Sequence, residues 1–360
     1  MLSACLLAVS ASPLLVRLPV GGIVPDVAVQ GSRAWVAYGD RSDAYVAEIK
    51  FGDQTLTPPV RVNSTRGSAV AGGERGPQIA AGTNALHVAW QGPQEGGAHV
   101  WYARSANGGK GFESQRDLLQ GSVGVDMVTV AAMGKRVVVL WLDGRGGEDP
   151  RSPATSLIYY VESTDGGNTF GPNTKLEAYT IVEPRSAGGR VSAVAARARR
   201  ACACCTMDAQ FTEDGTLKVL YRSGEGNIRD VWLLERPTDR REFSALRVSE
   251  DNWSLKTCPM DGPRYFESVG RPVAAWMSDG RTYWAERAGE TFLPRKQLAD
   301  GPSKYPSVAR GADGSLLGIW EADGRVHWRD LPDGASGAFD SSGHRSALFV
   351  APDGRFTIVN

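Results

Sequence analysis

Apolar residues along this chain come in short runs broken every few positions by Gly, Pro, Asp or Asn, and one unit recurs. A small apolar run is followed by a Gly-containing turn and then by an apolar run that ends in an aromatic residue. The second runs are Val36-Ala37-Tyr38, Val88-Ala89-Trp90, Val139-Leu140-Trp141, Val219-Leu220-Tyr221, Ala274-Ala275-Trp276 and Gly318-Ile319-Trp320. Two or three further β-rich runs follow each copy, as in Ala44 to Ile49 and Val60-Arg61-Val62. Short alternating runs bounded by turn residues predict strands, and no amphipathic stretch is long enough for a sizeable helix.

The copies are spaced by about 40 to 80 residues, which suits four-stranded units with one long insertion. Repetition at such a period predicts an all-β, radially repeated architecture, a β-propeller, in which each sheet protects its neighbour's edges. The count is seven. The last copy, Ala347 to Val359 with its Pro352-Asp353-Gly354 turn, lacks the aromatic and has no later strands of its own. Leu14 to Val20 is placed to complete it, which joins the two ends of the chain. The repeat runs nearly end to end, so one propeller domain is expected over 13–360, preceded by a signal-like or disordered segment, 1–12.

One turn is more specific. In Ser163-Thr164-Asp165-Gly166-Gly167-Asn168-Thr169-Phe170 the Asp can accept hydrogen bonds from the turn's own backbone, and the glycines tolerate positive φ. Ser105-Ala106-Asn107-Gly108-Gly109-Lys110-Gly111-Phe112 repeats it with Asn for Asp, and Gly289-Glu290-Thr291-Phe292 keeps its second half. The order Ser-x-Asp-x-Gly-x-Thr-aromatic resembles the Asp-box of the sialidase (BNR-repeat) superfamily of β-propellers. Such turns lie on a propeller's outer edge and carry no chemistry. Sialidases have six blades, so the resemblance implies six where the run count gives seven.

Forty basic and forty acidic residues leave no formal net charge. That removes the electrostatic argument for nucleic acid or an anionic membrane as a partner. The N-terminal Leu2-Ser3-Ala4-Cys5 resembles a bacterial lipobox, with Cys5 the residue that would carry a lipid anchor, although the charged and apolar regions that should precede it are missing. The expectation is an exported bacterial protein, periplasmic, outer-membrane-anchored or secreted. Nothing later is long and apolar enough to span a bilayer.

Several side chains are candidates for chemistry. Arg75, in Glu74-Arg75-Gly76-Pro77, leads into an inner strand and is placed to contact an anion; a solvated loop arginine reads the same way. Asp143 and Arg145, with Glu148 and Asp149, occupy a polar loop after the third aromatic, where ligand-binding loops are commonly found. The insertion Leu176 to Ala203 carries Arg185, Arg190, Arg197, Arg199 and Arg200, suited either to covering a cleft or to forming a solvated basic face. His87 lies within a strand with no second His near it and reads as a packed residue. Arg229-Asp230 reads as an internal ion pair.

The most unusual stretch is Cys202-Ala203-Cys204-Cys205, matched by the last cysteine in Cys258-Pro259-Met260. Both groups precede inner strands of neighbouring blades, which start at the same end of the axis. The four thiols can therefore meet there. They suit disulfides, a closed thiolate site for zinc, or a soft site for copper near Met260, although the paired C-x2-C zinc spacing is absent. The pattern is similar to uncharacterised bacterial propellers that combine C-x-C-C with C-P-M, a resemblance that implies no activity.

The sialidase resemblance also implies roles. Arg222, ending Asp214 to Arg222, stands at the second arginine of the substrate-carboxylate clamp, and Arg281 stands roughly at the third. Tyr305, in Gly301 to Val308, takes the place of the nucleophile. The first clamp arginine is replaced at Ile23-Val24-Pro25, and Arg17-Leu18-Pro19 lies one strand too early. The activating Glu is replaced by Thr206, with Asp208 two residues off. Three functional readings stand: a non-catalytic propeller binding a glycan, peptide or protein partner at its axial face, a sialidase-like glycoside hydrolase, and a cysteine-ligated metal or redox protein.

Overall fold

A computed structural model describes residues 12–93, 97–121, 124–146, 155–181, 195–197, 199–267, 271–343 and 345–360. It is a ring of seven blades, antiparallel apart from two parallel pairings at outer edges. Among the described residues the helical turns are two three-residue 3-10 segments, Gly144–Gly146 and Glu225–Asn227, and no helix is long and apolar enough to cross a membrane.

Gly22–Gln30, Gln78–Ala81, Val125–Met133, Asp208–Phe211, Arg264–Phe266, Lys304–Arg310 and Ala347–Val350 are the innermost strands. The recurring aromatic run is the second strand of blades one to six. Tyr38, Trp90, Trp141, Tyr221, Trp276 and Trp320 are each at most 7% exposed. The seventh blade closes as the run count predicts: Leu14–Val16 pairs in parallel with Phe356–Val359, so both ends of the chain share one sheet.

Seven apolar clusters fill the seven seams between blades. Trp35, Val46, Val88 and Trp90 pack blade one on blade two, and Val16, Val359, Val36 and Tyr38 pack blade seven on blade one. Every blade is therefore apolar on both faces, which explains runs of apolar residues in the second strands where a one-sided sheet would alternate.

Acids stitch the same seams near the axis. Asp26 Oδ2 accepts from Ile79 N (2.8 Å), Asp208 Oδ2 from Tyr265 N (2.8 Å), Asp261 Oδ2 from Tyr305 N (2.9 Å) and Glu321 Oε1 from Arg345 N (2.6 Å). In each case a carboxylate of one blade satisfies an amide where the next inner strand begins.

At Ser163–Phe170, Asp165 accepts from Thr169 N at 2.9 Å and from Thr169 Oγ1 at 2.6 Å. Phe170 meets Tyr102 of blade two edge-on, 4.8 Å between centroids. Of the insertion, two short strands are described. Ala178–Ile181 and Ala195–Arg197 add two strands to the outer edge of blade four, with Ala178–Ile181 parallel to Phe243–Arg247. These described parts extend a sheet away from the axis instead of crossing a cleft. Arg185 and Arg190, like Cys5, Glu148 and Asp149, lie outside the described residues.

Candidate functional site

The inner strands all start at one end of the ring, and their starts are irregular. Val24 (φ 52°), Met127 (φ 47°), Met260 (φ 52°), Tyr305 (φ 51°) and Arg345 (φ 69°) are left-handed non-glycine residues, and register shifts accompany those at 24, 127 and 305. Each such residue costs about 1–2 kcal/mol, so five at or just before inner strands must be imposed by surrounding contacts.

Glu74 supplies such contacts at Arg345. The Glu74 side chain is fully buried, accepting from Thr206 N (3.0 Å) and Gly262 N (2.6 Å) and pairing with Arg345 Nε (3.3 Å). Its own carbonyl accepts from Arg345 Nη1 (3.2 Å) and Thr206 Oγ1 (3.4 Å). Residues from blades two, four, five and seven thus meet on one carboxylate. Gly262 is required by close approach: a Cβ there would stand 2.3 Å from Thr206 O.

Asp261 is fully buried beside Glu74, and one of its oxygens, Oδ1, has no hydrogen-bond partner. Burial, reinforced by Glu74, pushes its carboxyl up to about 7. Burial likewise pushes the guanidinium of Arg345 down.

Against this network lie the cysteines. Cys204 and Cys258 form a disulfide, and Cys202 and Cys205 are buried free thiols. Cys202 Sγ lies 3.4 Å from Cys205 Sγ and 3.5 Å from Cys258 Sγ, and Cys205 Sγ lies 3.9 Å from Cys258 Sγ. The hydrogen bond from Cys205 draws the Cys202 thiol down to about 7 despite burial, with Arg229 and Arg222 adding to it; burial pushes Cys205 up. The bridge joins Cys258 to one of the three clustered cysteines, as the disulfide reading allows, and leaves the other two as thiols.

Along the axis the inner strands enclose a cavity of about 350 Å³. Its polar lining includes Asp26, Gln78, Thr129, Asp208, Arg264 and Ser307. The Arg264 guanidinium has no hydrogen bond to a described residue and acts electrostatically on both aspartates. Burial pushes Asp26 up to about 6 and Asp208 in the same direction, and Arg264 opposes both shifts.

The anticipated residues divide clearly. Arg222 is 1% exposed, and its guanidinium donates to the carbonyls of Asp261 (3.0 Å), Arg229 (2.8 Å) and Met277 (2.7 Å). Tyr305 joins it through Asp261, whose carboxylate holds the Tyr305 amide. Burial, with Asp261 and Glu74 adding, pushes the Tyr305 phenol up to about 12. Arg281 is exposed on the hairpin whose Gly280 carbonyl accepts from Ser303 N. Arg75 makes a two-pronged pair with Asp126 (2.8 and 2.5 Å) at the rim of a separate surface pocket. Asp143 is buried between Trp141 Nε1 (2.7 Å) and Arg145 Nη2 (2.8 Å), and Arg145 lies over the Tyr159 ring.

Two smaller expectations resolve as well. His87 bonds Tyr102 Oη at 2.7 Å, and burial pushes it down to about 4, as befits a packed residue. Arg229 and Asp230 do not pair: Asp230 binds Arg247, and Arg229 donates to Thr257 O at 3.0 Å.

Glu74, Asp261, Arg264 and Arg345 were not singled out from sequence. The available signal is positional, since each lies at or just before an inner strand. Glu74 stands beside Arg75, and it reaches Thr206, the position where the sialidase resemblance expects a Glu.

No family profile matches the chain, and no curated protein does. Solved structures share its fold. A Hadza microbial sialidase, Hz136, aligns at 13% identity and TM-score 0.50 over 84% of this chain, which spans 63% of that sialidase's length. The NanB sialidase of Streptococcus pneumoniae aligns at 7% identity and TM-score 0.52, covering 91% of this chain and 80% of that one. YCF48, solved bound to the D1 peptide, aligns at 12% identity and TM-score 0.50, covering 94% and 90%. The fold of this chain is a seven-bladed, sialidase-like β-propeller.

Proposed function

We propose that the protein is a non-catalytic sialidase-like propeller that binds a neutral sugar unit of a glycan in its axial cavity. The observation that carries this reading is the free guanidinium of Arg264 facing Asp26 and Asp208 within about 350 Å³. That volume is at the lower end of ligand sites, about 300–1,000 Å³. Carboxylates accept from sugar hydroxyls and Arg264 donates to them, an arrangement that fits an uncharged polyol.

Hydrolysis is the weaker reading. Sialidase-type chemistry needs a carboxylate clamp and a Tyr activated as nucleophile. Arg222 spends its donors on three backbone carbonyls, and Tyr305 is a weaker acid than free tyrosine. Glu74 is already engaged by two amides and Arg345. An extracytoplasmic setting belongs to the same proposal, supported by the Cys204–Cys258 disulfide, since such bonds persist in oxidising compartments.

The test is calorimetric titration of the full chain with a panel of neutral mono- and oligosaccharides and short peptides, alongside Arg264→Ala. One sugar class should bind wild type and lose about tenfold or more in affinity in the variant, as expected for a charge-assisted hydrogen bond. No sugar binding, or sugar binding indifferent to Arg264, overturns the reading. Peptide binding alone would move the site toward the kind of ligand seen with YCF48.

A further inference from the structure

We propose that Cys202, Cys205 and Cys258 form a site for a thiophilic metal ion, opened by reduction of the Cys204–Cys258 disulfide. This goes beyond the cavity reading and does not depend on it. The three sulfurs lie 3.4, 3.5 and 3.9 Å apart. A metal about 2.3 Å from each of three thiolates in tetrahedral array needs sulfur–sulfur edges of roughly 3.8 Å. The triangle is therefore close to the required size before any ion enters. Among the described residues the cluster consists of cysteines alone, and an all-sulfur donor set selects zinc-class and monovalent copper ions.

A second observation points to an anion at this place. Arg229 is fully buried, yet its Nε and Nη1 have no hydrogen-bond partner. Asp230, its neighbour in sequence, is occupied by Arg247. Gly224 separates Arg229 from the cluster: a Cβ there would stand 2.5 Å from Arg229 Nη1 and 3.1 Å from the Cα of Cys202. A buried guanidinium without a counter-charge is strongly disfavoured. Three thiolates around monovalent copper, or four around a zinc ion, leave two negative charges, which Arg229 and Arg222 balance.

The redox step closes as follows. An external dithiol gives up two electrons and two protons and becomes a disulfide. The Cys204–Cys258 bond breaks, and both sulfurs become thiols. Each thiol that then ligates the ion releases one proton. Cys204, freed in the same step and adjacent to Cys205, is a fourth sulfur for an ion that requires tetrahedral coordination. Bridge and ion are mutually exclusive at Cys258.

The test uses the full chain under anaerobic conditions, before and after dithiol treatment and removal of the reductant. Cobalt serves as the probe for zinc, and monovalent copper is delivered from a chromophoric chelator. The oxidised chain should bind neither. The reduced chain should bind one ion with thiolate charge-transfer absorption. Cys204→Ser should bind one ion without reductant, because Cys258 is then free. Cys202→Ser should lose more than about 100-fold in affinity. Tetrahedral cobalt bands displaced by zinc identify a four-sulfur site; copper binding alone identifies the three-sulfur one. If reduced wild type, folded by circular dichroism, binds neither ion stoichiometrically, the proposal is wrong. A folded Cys204→Ser that binds neither ion without reductant overturns it independently.

Discussion

Glu74 and Arg345 form a fully buried ion pair, 3.3 Å from carboxylate to Nε, between residues 271 apart in sequence. It ties the loop before blade two to the start of blade seven, and the same carboxylate holds amides of Thr206 and Gly262. Removing Glu74 leaves a buried charge and two orphaned amides. Glu74→Ala should therefore lose about 3–5 kcal/mol of stability in urea unfolding. The Glu74→Gln, Arg345→Met double variant should lose clearly less than the two single changes added together. Strict additivity would mean that the pair is not coupled.

Gly262 marks where two chain segments touch backbone to backbone. Gly262→Ala places a methyl 2.3 Å from Thr206 O, and neither segment is a flexible side chain. We expect a loss of about 1–3 kcal/mol, visible as an earlier urea midpoint. A neutral result would show that the Thr206 segment yields freely.

The axial acids set a pH dependence opposite to ordinary salt-bridged carboxylates. Asp26 is raised to about 6 and Asp261 to about 7, both by burial first. Between about 4 and 7 the folded chain holds protons that the unfolded chain has released, so these groups lower stability as pH rises through that window. Above pH 7 their contribution is level. Asp26→Asn keeps an acceptor for Ile79 N and should flatten the fall between about pH 4 and 6. The measurement is the urea midpoint across that range, and an unchanged slope would contradict the raised Asp26.

The ring was legible because its signals are local and periodic. The Gly turns and the aromatic at the end of each second strand appear in six copies, and the closure by Leu14–Val16 follows from a seventh blade left short of strands. The sialidase resemblance pointed to six blades, but the run count proved the better guide. The cysteine groups were also readable as a meeting point, since both precede neighbouring inner strands.

What stayed hidden was long-range. Glu74 meets Gly262 and Arg345 across 188 and 271 residues, and no spacing rule reaches that far. Arg75 is paired with Asp126, while its neighbour Glu74 carries the network. The insertion looked like a basic loop because its strands are only four and three residues long and add to an outer edge.

The central claim is a binding propeller without hydrolytic chemistry, and the most direct measurement is turnover of a fluorogenic sialoside by wild type and by Tyr305→Phe across pH 4 to 9. The account predicts no turnover above background in either protein. Sialoside cleavage by wild type that disappears in a folded Tyr305→Phe would contradict it.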